Sequence, residues 1–226
     1  MRELLIPGNL PQANAAHVRL ARERALAEDS GIIDLPAMRS MCPVMVVAVR
    51  GYFRDTLGAV GVNDAGVFDD AAFLVAGDKI RRFNWNTDPS KTGLNTALGK
   101  PYAMLCPGIW PFLPGPHKGK GPAWRQPEEE RARAAGLGRF FRDGRAAGEF
   151  AVYRDRRGMP HEDSPVEKGY FAINIHWGGE TGTSSWGCQT APPVQWKQFL
   201  DLSYALAKGQ PFLPYLLMDR EQFAME

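Results

Sequence analysis

Residues 171–190 read FAINIHWGGETGTSSWGCQT, and this stretch gives the clearest structural signal in the chain. Apolar and polar side chains alternate over its first six residues, which predicts a β-strand with one face toward the core. Asn174 and His176 then lie on the opposite face of that strand. A loop of small residues follows and ends at Cys188. The pattern predicts a strand that presents an imidazole at its end, followed by a tight return to a thiol.

Short apolar runs separated by turn residues predict further strands on both sides of this stretch. These runs span residues 44–49, 71–75, 80–85, 150–153 and 212–218. Residues 88–127 carry eight prolines and are predicted to be irregular. Helical spacing is confined to residues 13–29, 128–135 and 195–208. We therefore expect a mainly β fold with a few helices.

Length and composition set the broad class of protein. The chain has 226 residues, is 44% hydrophobic and 23% charged, and carries a formal net charge of +2. These values are typical of a soluble globular domain and give no electrostatic reason to expect nucleic acid or an anionic membrane as partner. No apolar run is long enough to span a bilayer. We expect an N-terminal helical extension over residues 1–40 and one catalytic domain over residues 41–226.

The cysteines and the N-terminus bear on the cellular compartment. Cys42, Cys106 and Cys188 show no C-x-x-C spacing, so we expect free thiols, with the first two buried and inert. Residues 1–12 have no continuous apolar segment, which predicts that no removable secretion signal is present and that the chain is synthesised in the cytoplasm.

Cys188 and His176 suit nucleophilic catalysis. A thiol must lose its proton to attack a carbonyl, and a neighbouring imidazole takes that proton. Gly187 leaves the approach to the thiol open, and the amides of Gly187 and Cys188 are candidate oxyanion donors. A cysteine beside a histidine is often only structural. Here residues 181–185 of the loop are small or carry hydroxyl groups, so they are poorly suited to a hydrophobic core. This composition favours a catalytic role for the cysteine.

This hairpin resembles the H-x-G … S-x-G-C signature of the L,D-transpeptidase catalytic domain. Members of that family rework or cut peptidoglycan stem peptides through a cysteine acyl-enzyme. The hairpin is also similar to N-I-H-x-G-G … T-S-S-x-G-C-Q in phage-like lytic proteins, and residues 106–110 are similar to a strand entry of the family. The resemblance implies a β-sandwich or barrel-like domain of the L,D-transpeptidase type that needs no metal or cofactor.

The resemblance also implies roles for individual residues. Cys188 would be the nucleophile and His176 the general base, with the base oriented by a main-chain carbonyl in the segment Trp177–Gly178. Ser185 and Gly187 would support the loop. Residues expected to contact substrate are Trp186, Gly178, Gly179, Asn174, Thr190 and His117. The chain departs from the family at Thr190, where an arginine is usual, and at Trp186, where a histidine is frequent.

The expected activity is cleavage of peptidoglycan stem peptides, as an L,D-carboxypeptidase or endopeptidase, or L,D-transpeptidation. With no secretion signal predicted, we expect a lytic or antibacterial role at the cell wall or periplasm, as a phage endolysin or a secreted effector. The chain would reach the wall after lysis or through a dedicated secretion machine. An effector would also have a delivery or immunity protein as partner.

Two alternatives remain open from the sequence. One is a zinc-dependent wall peptidase that uses His161, Asp163 and His176, although no H-E-x-x-H motif is present. The other is a non-catalytic peptidoglycan-binding module whose tryptophans form a platform. His117 lies in a basic stretch that is expected to be either an exposed loop or part of a lid over a stem-peptide carboxylate.

Overall fold

The structure is a computed structural model that describes residues 12–59, 61–94, 99, 101–155 and 163–224. Its helices are α1 (Gln12–Glu28), α2 (Leu35–Met41), α3 (Glu129–Ala134), α4 (Pro193–Leu206) and α5 (Arg220–Ala224). Its strands are β1 (Val44–Arg50), β2 (Asp70–Ala76), β3 (Lys79–Trp85), β4 (Met104–Leu105), β5 (Gly108–His117), β6 (Gly121–Arg125), β7 (Phe150–Tyr153), β8 (Val166–Gly169), β9 (Asn174–Trp177), β10 (Gln189–Ala191) and β11 (Leu213–Asp219).

Eight of these strands form one sheet that nearly closes on itself. Their order is β10-β9-β6-β5-β11-β1-β2-β3, and β4, β7 and β8 form a second sheet. The two edges of the large sheet meet where Asn86, just after β3, exchanges two main-chain hydrogen bonds with Thr190 of β10, at 2.8 and 2.9 Å. The prediction of a mainly β, barrel-like fold with a few helices is therefore confirmed.

The central strands have a core on each face. In β1, Val46 and Ala48 pack into a cluster shared with α4 and β7, whereas Val47 and Val49 pack into a second cluster shared with α1 and α2. Every residue of β1 is buried, and the strand runs parallel to β11 on one side. A strand covered on both faces favours apolar side chains at successive positions, which explains the unbroken apolar run of residues 44–49; Arg50, which ends the strand, is buried with Asp88 and Asp219 as ion-pair partners.

The expectation that residues 88–127 are irregular is wrong for its second half, because β5 and β6 form a hairpin there. Residues 108–112 of β5 pair with β11, and residues 113–117 pair with β6. Each half therefore has one side without a strand partner. A proline lacks the amide N–H that a ladder needs but is accommodated beside an unpaired edge, so three prolines are compatible with this strand.

The N-terminal helices are part of the second core. The helix predicted at residues 13–29 is α1, and it buries Val18, Ala21 and Leu26 while leaving Leu20 exposed. Residues 1–11 lie outside the described part of the chain, so the prediction about a secretion signal stays a prediction. Within the described residues, no helix is both long enough and apolar enough to cross a membrane.

Candidate active site

Strands β9 and β10 place the predicted cysteine and histidine on one face of the sheet. The two strands are parallel, so the hairpin expected from the sequence is wrong; Ile175 lies opposite Gln189 and His176 lies opposite Thr190. Continuing this register by one residue places Cys188 beside Asn174, and the main-chain N–H of Asn174 lies 3.4 Å from the Cys188 sulfur. Strand spacings put the Cα atoms of Cys188 and His176 about 8 Å apart on neighbouring strands.

Ile173 and Ile175 pack into the main core, as the alternation in the sequence predicted, so Asn174 and His176 face the other way. The strand is shorter than the expected span of residues 170–176, because Ala172 has φ of 56° and interrupts the extended backbone. His176 and Cys188 are not hydrogen-bonded to each other in the described structure. Catalytic hydrogen bonds are often long before substrate binds, so this geometry is compatible with a dyad.

The main chain fixes the orientation of His176. Its Nδ1–H donates to the carbonyl oxygen of Trp177 at 2.6 Å, a contact within the segment Trp177–Gly178 that the family resemblance implied. With the proton on Nδ1, the Nε2 atom carries a lone pair and is the nitrogen able to accept a proton. The ring is 5% exposed, and burial is the main cause that lowers the pKa of His176 to about 3.

His117 is a direct neighbour of His176, so the exposed-loop interpretation of His117 is wrong. The two imidazoles stack with centroids 3.8 Å apart, and His117 is 7% exposed at the end of β5. The side-chain Nδ2 of Asn174 donates to His117 Nδ1 at 3.0 Å. Burial and the nearby Lys118 lower the pKa of His117 to about 4. Both imidazoles are therefore neutral at pH 7.

The Cys188 thiol is partly exposed and protonated at rest. Burial raises the pKa of Cys188 above its ordinary value of 9.0, while the N–H of Asn174 and the charge of Lys118 act in the opposite direction. Cys42 and Cys106 are fully buried, as predicted, and burial raises the pKa of these thiols to about 12 and 11. Cys188 is thus the most accessible thiol of the three.

Ser185 organises the loop that carries the cysteine. Its hydroxyl donates to the Cys188 carbonyl at 2.7 Å and accepts the N–H of Gly187 at 3.0 Å. Because the Gly187 amide is already bonded, the expectation that it stabilises an oxyanion is not supported. The amide of Cys188 itself remains the candidate donor. Ser185 is buried, and its main-chain carbonyl accepts a hydrogen bond from the N–H of Ser90. This contact anchors the loop.

Two residues expected to contact substrate have structural roles instead. Thr190 is fully buried, and its hydroxyl donates to the carbonyl of Thr183 at 3.1 Å. Gly178 is buried as well, and a Cβ atom there would lie 2.6 Å from the ring of Phe68. Gly179 closes the following turn by donating its N–H to Gly182 at 2.9 Å. These three residues stabilise the loop from its interior. We therefore correct the expected role of Thr190 and Gly178 from substrate contact to structural support of the site.

The rim of the site is formed by an aromatic pair and a lysine. Trp186 is 65% exposed, consistent with the expected exposure at a cleft, and stacks on Tyr102 with ring centroids 5.0 Å apart. The Nζ of Lys118 lies 5.3 Å from the centre of a Trp186 ring. Tyr102 and Lys118 were missed from the sequence, because both are distant in the chain from the loop that they contact.

A buried hydrogen-bond chain below the cysteine was also missed. The indole N–H of Trp85 donates to the Tyr215 hydroxyl at 3.0 Å, and that hydroxyl donates to the side-chain carbonyl of Gln189 at 2.7 Å. The amide of Gln189 then donates to the carbonyl of Gly187 at 3.2 Å. This chain holds both neighbours of Cys188 against the core. A glutamine next to a candidate nucleophile was the only signal in the sequence.

The residues of the two alternatives are differently placed. Of the residues of the zinc alternative, His161 lies outside the described residues and Asp163 is exposed. The described ranges contain no group of three or more metal-ligating side chains that could hold a metal ion. Three tryptophans proposed for a binding platform are buried, namely Trp85, Trp110 and Trp124. A surface cavity lined by Trp110, Arg145 and Lys168 contains neither Cys188 nor His176.

Comparison with known proteins adds no relative. No family model matches the chain, no curated protein matches it, and no solved structure matches it. The chain is thus defined by its own features: a nearly closed mainly β sheet that carries a partly exposed cysteine and an oriented histidine on neighbouring parallel strands.

Gly187 offers a direct test of the loop geometry. Its φ of 122° is unfavourable for other residues, and an added Cβ would overlap the carbonyl oxygen of Ala103. We expect Gly187→Ala to displace Cys188, to cost more stability than positive φ alone, and to change the rate at which Cys188 is alkylated, because that rate depends on the exposure and thiolate fraction of the sulfur.

Gly209→Ala is the matched control. Gly209 also has positive φ, 89°, but no atom lies within 4 Å of its added Cβ. This variant should lose only about 1–2 kcal/mol of stability, with no change in alkylation. Equal alkylation rates in the two variants would contradict the tight fit at Gly187.

Proposed function

We propose that the protein is a cysteine acyl-transfer enzyme that acts on peptidoglycan stem peptides, as an L,D-carboxypeptidase, endopeptidase or transpeptidase. The observation that supports this most is the pairing of a partly exposed thiol with a histidine on the same sheet face, whose Nδ1–H is held by the Trp177 carbonyl. The assignment of peptidoglycan as the substrate is based on the resemblance of residues 176–188 to the L,D-transpeptidase signature. A lytic or antibacterial role at the cell wall is part of the same proposal.

In the proposed reaction, Nε2 of His176 takes the Cys188 proton as the sulfur attacks the peptide carbonyl carbon. The oxyanion that forms is stabilised by the main-chain N–H of Cys188. The C–N bond then breaks, and the leaving amine takes the proton from His176. Water or a second amine next attacks the thioester carbonyl, His176 accepts its proton, and the thiol is restored when the proton returns to sulfur.

The electrostatics support proton transfer that accompanies attack rather than a resting ion pair. A thiol with a raised pKa and an imidazole with a pKa near 3 are both neutral at pH 7. His176 is therefore in the form that accepts a proton. Its stacking on neutral His117 avoids a second positive charge beside the imidazolium that forms during attack.

The test is incubation of the protein with purified peptidoglycan, followed by mass analysis of the released fragments. The expected result is loss of a D-amino acid, a broken cross-link or a new peptide cross-link, with the sugar bonds intact. A second assay measures the intact mass after treatment with a carbapenem, which should add one equivalent to Cys188. Unchanged peptides together with no adduct would contradict the proposal, and cleavage between sugars would assign a different activity.

The alternative of a peptidoglycan-binding module has one favourable observation, which is the stacking of exposed Trp186 on half-buried Tyr102. In that case, the protein would sediment with peptidoglycan and release no fragments. Alkylation of Cys188 would leave the binding unchanged. The same incubation thus separates a binding module from an enzyme.

A further inference from the structure

Lys118 is an exposed cation held at the edge of the candidate active site. It follows His117, whose ring stacks on His176, and its Nζ lies 5.3 Å from a ring of Trp186, two residues before Cys188. Lys118 is thus adjacent to a residue that contacts His176 and close to the loop that carries Cys188. Within the described residues, no acidic side chain forms an ion pair with it.

The backbone holds Lys118 in this place at a conformational cost. Lys118 has φ of 48° and Gly119 has φ of 70°, and the turn is closed by a hydrogen bond of 2.9 Å from Lys120 N–H to the His117 carbonyl. Two successive residues with positive φ are typical of a tight hairpin turn, where glycine or asparagine is preferred to lysine. A lysine at a strained position of this kind is an indication of function.

The charged side chains that act on the pKa values of the thiol and the two neighbouring imidazoles are cations. Lys118 acts on the pKa of Cys188, His176 and His117, while Lys120 and Arg125 act on that of His117. An anionic group that approaches the sulfur therefore meets a favourable potential. The flat ring of Trp186, backed by Tyr102, gives the apolar part of such a ligand a surface to lie on.

We propose that Lys118 and the Trp186–Tyr102 pair form a subsite for a carboxylate of the substrate, next to the bond that Cys188 attacks. The substrate class is a peptide that carries a free carboxylate at this position rather than a carboxamide. This inference rests on the proposed function, since it requires that Cys188 reacts with the bound molecule. It assigns the preference of the site for a negatively charged substrate to Lys118, a residue outside the H-x-G … S-x-G-C signature.

The test compares two alkylating reagents of similar size, iodoacetate and iodoacetamide, in which the Cys188 thiolate displaces iodide. Only iodoacetate carries a carboxylate. The rate of each reaction is followed on the peptide that contains Cys188, and the ratio of the two rates reports the carboxylate preference. Lys118→Asn is the test variant, because asparagine tolerates positive φ and keeps the turn. Lys120→Gln, in the same turn, is the matched control.

We expect Lys118→Asn to lower the iodoacetate-to-iodoacetamide ratio about three- to tenfold, and Lys120→Gln to change it much less. The difference should shrink as ionic strength rises, because the contact is exposed. N-acetyl-D-alanine should also protect Cys188 from iodoacetamide better than N-acetyl-D-alaninamide does, and Lys118→Asn should remove that advantage.

Three results would overturn the inference. Two unchanged rates in Lys118→Asn would remove the carboxylate subsite and leave the proposed function intact. An equal fall in both rates would mean that Lys118 acts only on thiol reactivity. Failure of both reagents to label Cys188 in the folded protein, with labelling after unfolding, would contradict the proposed function and the subsite together.

Discussion

Cys188→Ala is expected to abolish the release of peptides from peptidoglycan, with a fall of at least about 10³-fold in rate. Removal of the nucleophile from a cysteine or serine acyl-transfer enzyme leaves only the contribution of binding and oxyanion contacts. The fold should persist, because the sulfur is partly exposed and its main-chain contacts are long, at 3.4 Å from the N–H of Asn174 and 4.0 Å to the carbonyl oxygen of Ala172. The measurement is the rate of muropeptide release alongside a thermal unfolding curve.

Cys106→Ala is the control for this prediction. Cys106 is a free thiol as well, but it is buried in the main core, where burial raises its pKa to about 11. We expect this variant to lose about 1 kcal/mol of stability through the small cavity and to keep its activity. If Cys188→Ala retained activity and a chelator removed it, the zinc-dependent alternative would replace the cysteine mechanism.

His176→Gln is expected to lower kcat/KM by about 10²–10⁴-fold, the contribution of a positioned general base. Glutamine keeps a polar side chain of similar length but cannot accept the thiol proton. His17→Gln is the control, since the ring of His17, in α1, contacts the carbonyl and the ring of Phe223, in α5, and so belongs to a helix contact rather than to the candidate site. Equal activity of His176→Gln and wild type would remove His176 from the mechanism.

The pH profile gives this prediction a second readout. Lowering the pKa of His176 from 6.5 to about 3 means that its neutral, proton-accepting form predominates at every pH above about 3. The wild type should therefore lose no activity to protonation of this histidine between pH 7 and 5. In His176→Gln the remaining ionisation is that of the Cys188 thiol, whose pKa is raised, so the residual rate should climb with pH beyond 9. A fall in wild-type activity toward low pH with an apparent pKa near 6.5 would contradict a buried, neutral His176.

The strands could be predicted where burial on one or both faces leaves a pattern in the sequence. The runs at β1, β2, β3, β7 and β11 were found within one or two residues, because each buries a repeating set of side chains. The hairpin of β5 and β6 was missed because its prolines are typical of loops. They are compatible with β5 only because each half of that strand pairs on one side.

The candidate dyad followed from the local sequence, since His176 and Cys188 are twelve positions apart and joined by small residues. The Trp177 carbonyl as partner of His176 was predicted from the family resemblance. The role of the Gly187 amide was not predicted correctly. The Gly187 amide donates a hydrogen bond to Ser185. This contact depends on the backbone path of the loop, which the order of residues in the sequence does not specify.

By itself, the sequence determined the mainly β class, the strand that carries His176, and the accessible thiol among three. Alternation and loop composition are local properties, so they can be read without coordinates. Only the tertiary structure decided that His117 stacks on His176, that Thr190 is sealed in the interior, and that Lys118 reaches the rim at Trp186. The contacts of His117 and Lys118 join residues 59 and 68 positions apart in the chain, from 117 to 176 and from 118 to 186. They exist because β6 pairs with β9, which places the β5–β6 turn beside the strands that carry the candidate dyad.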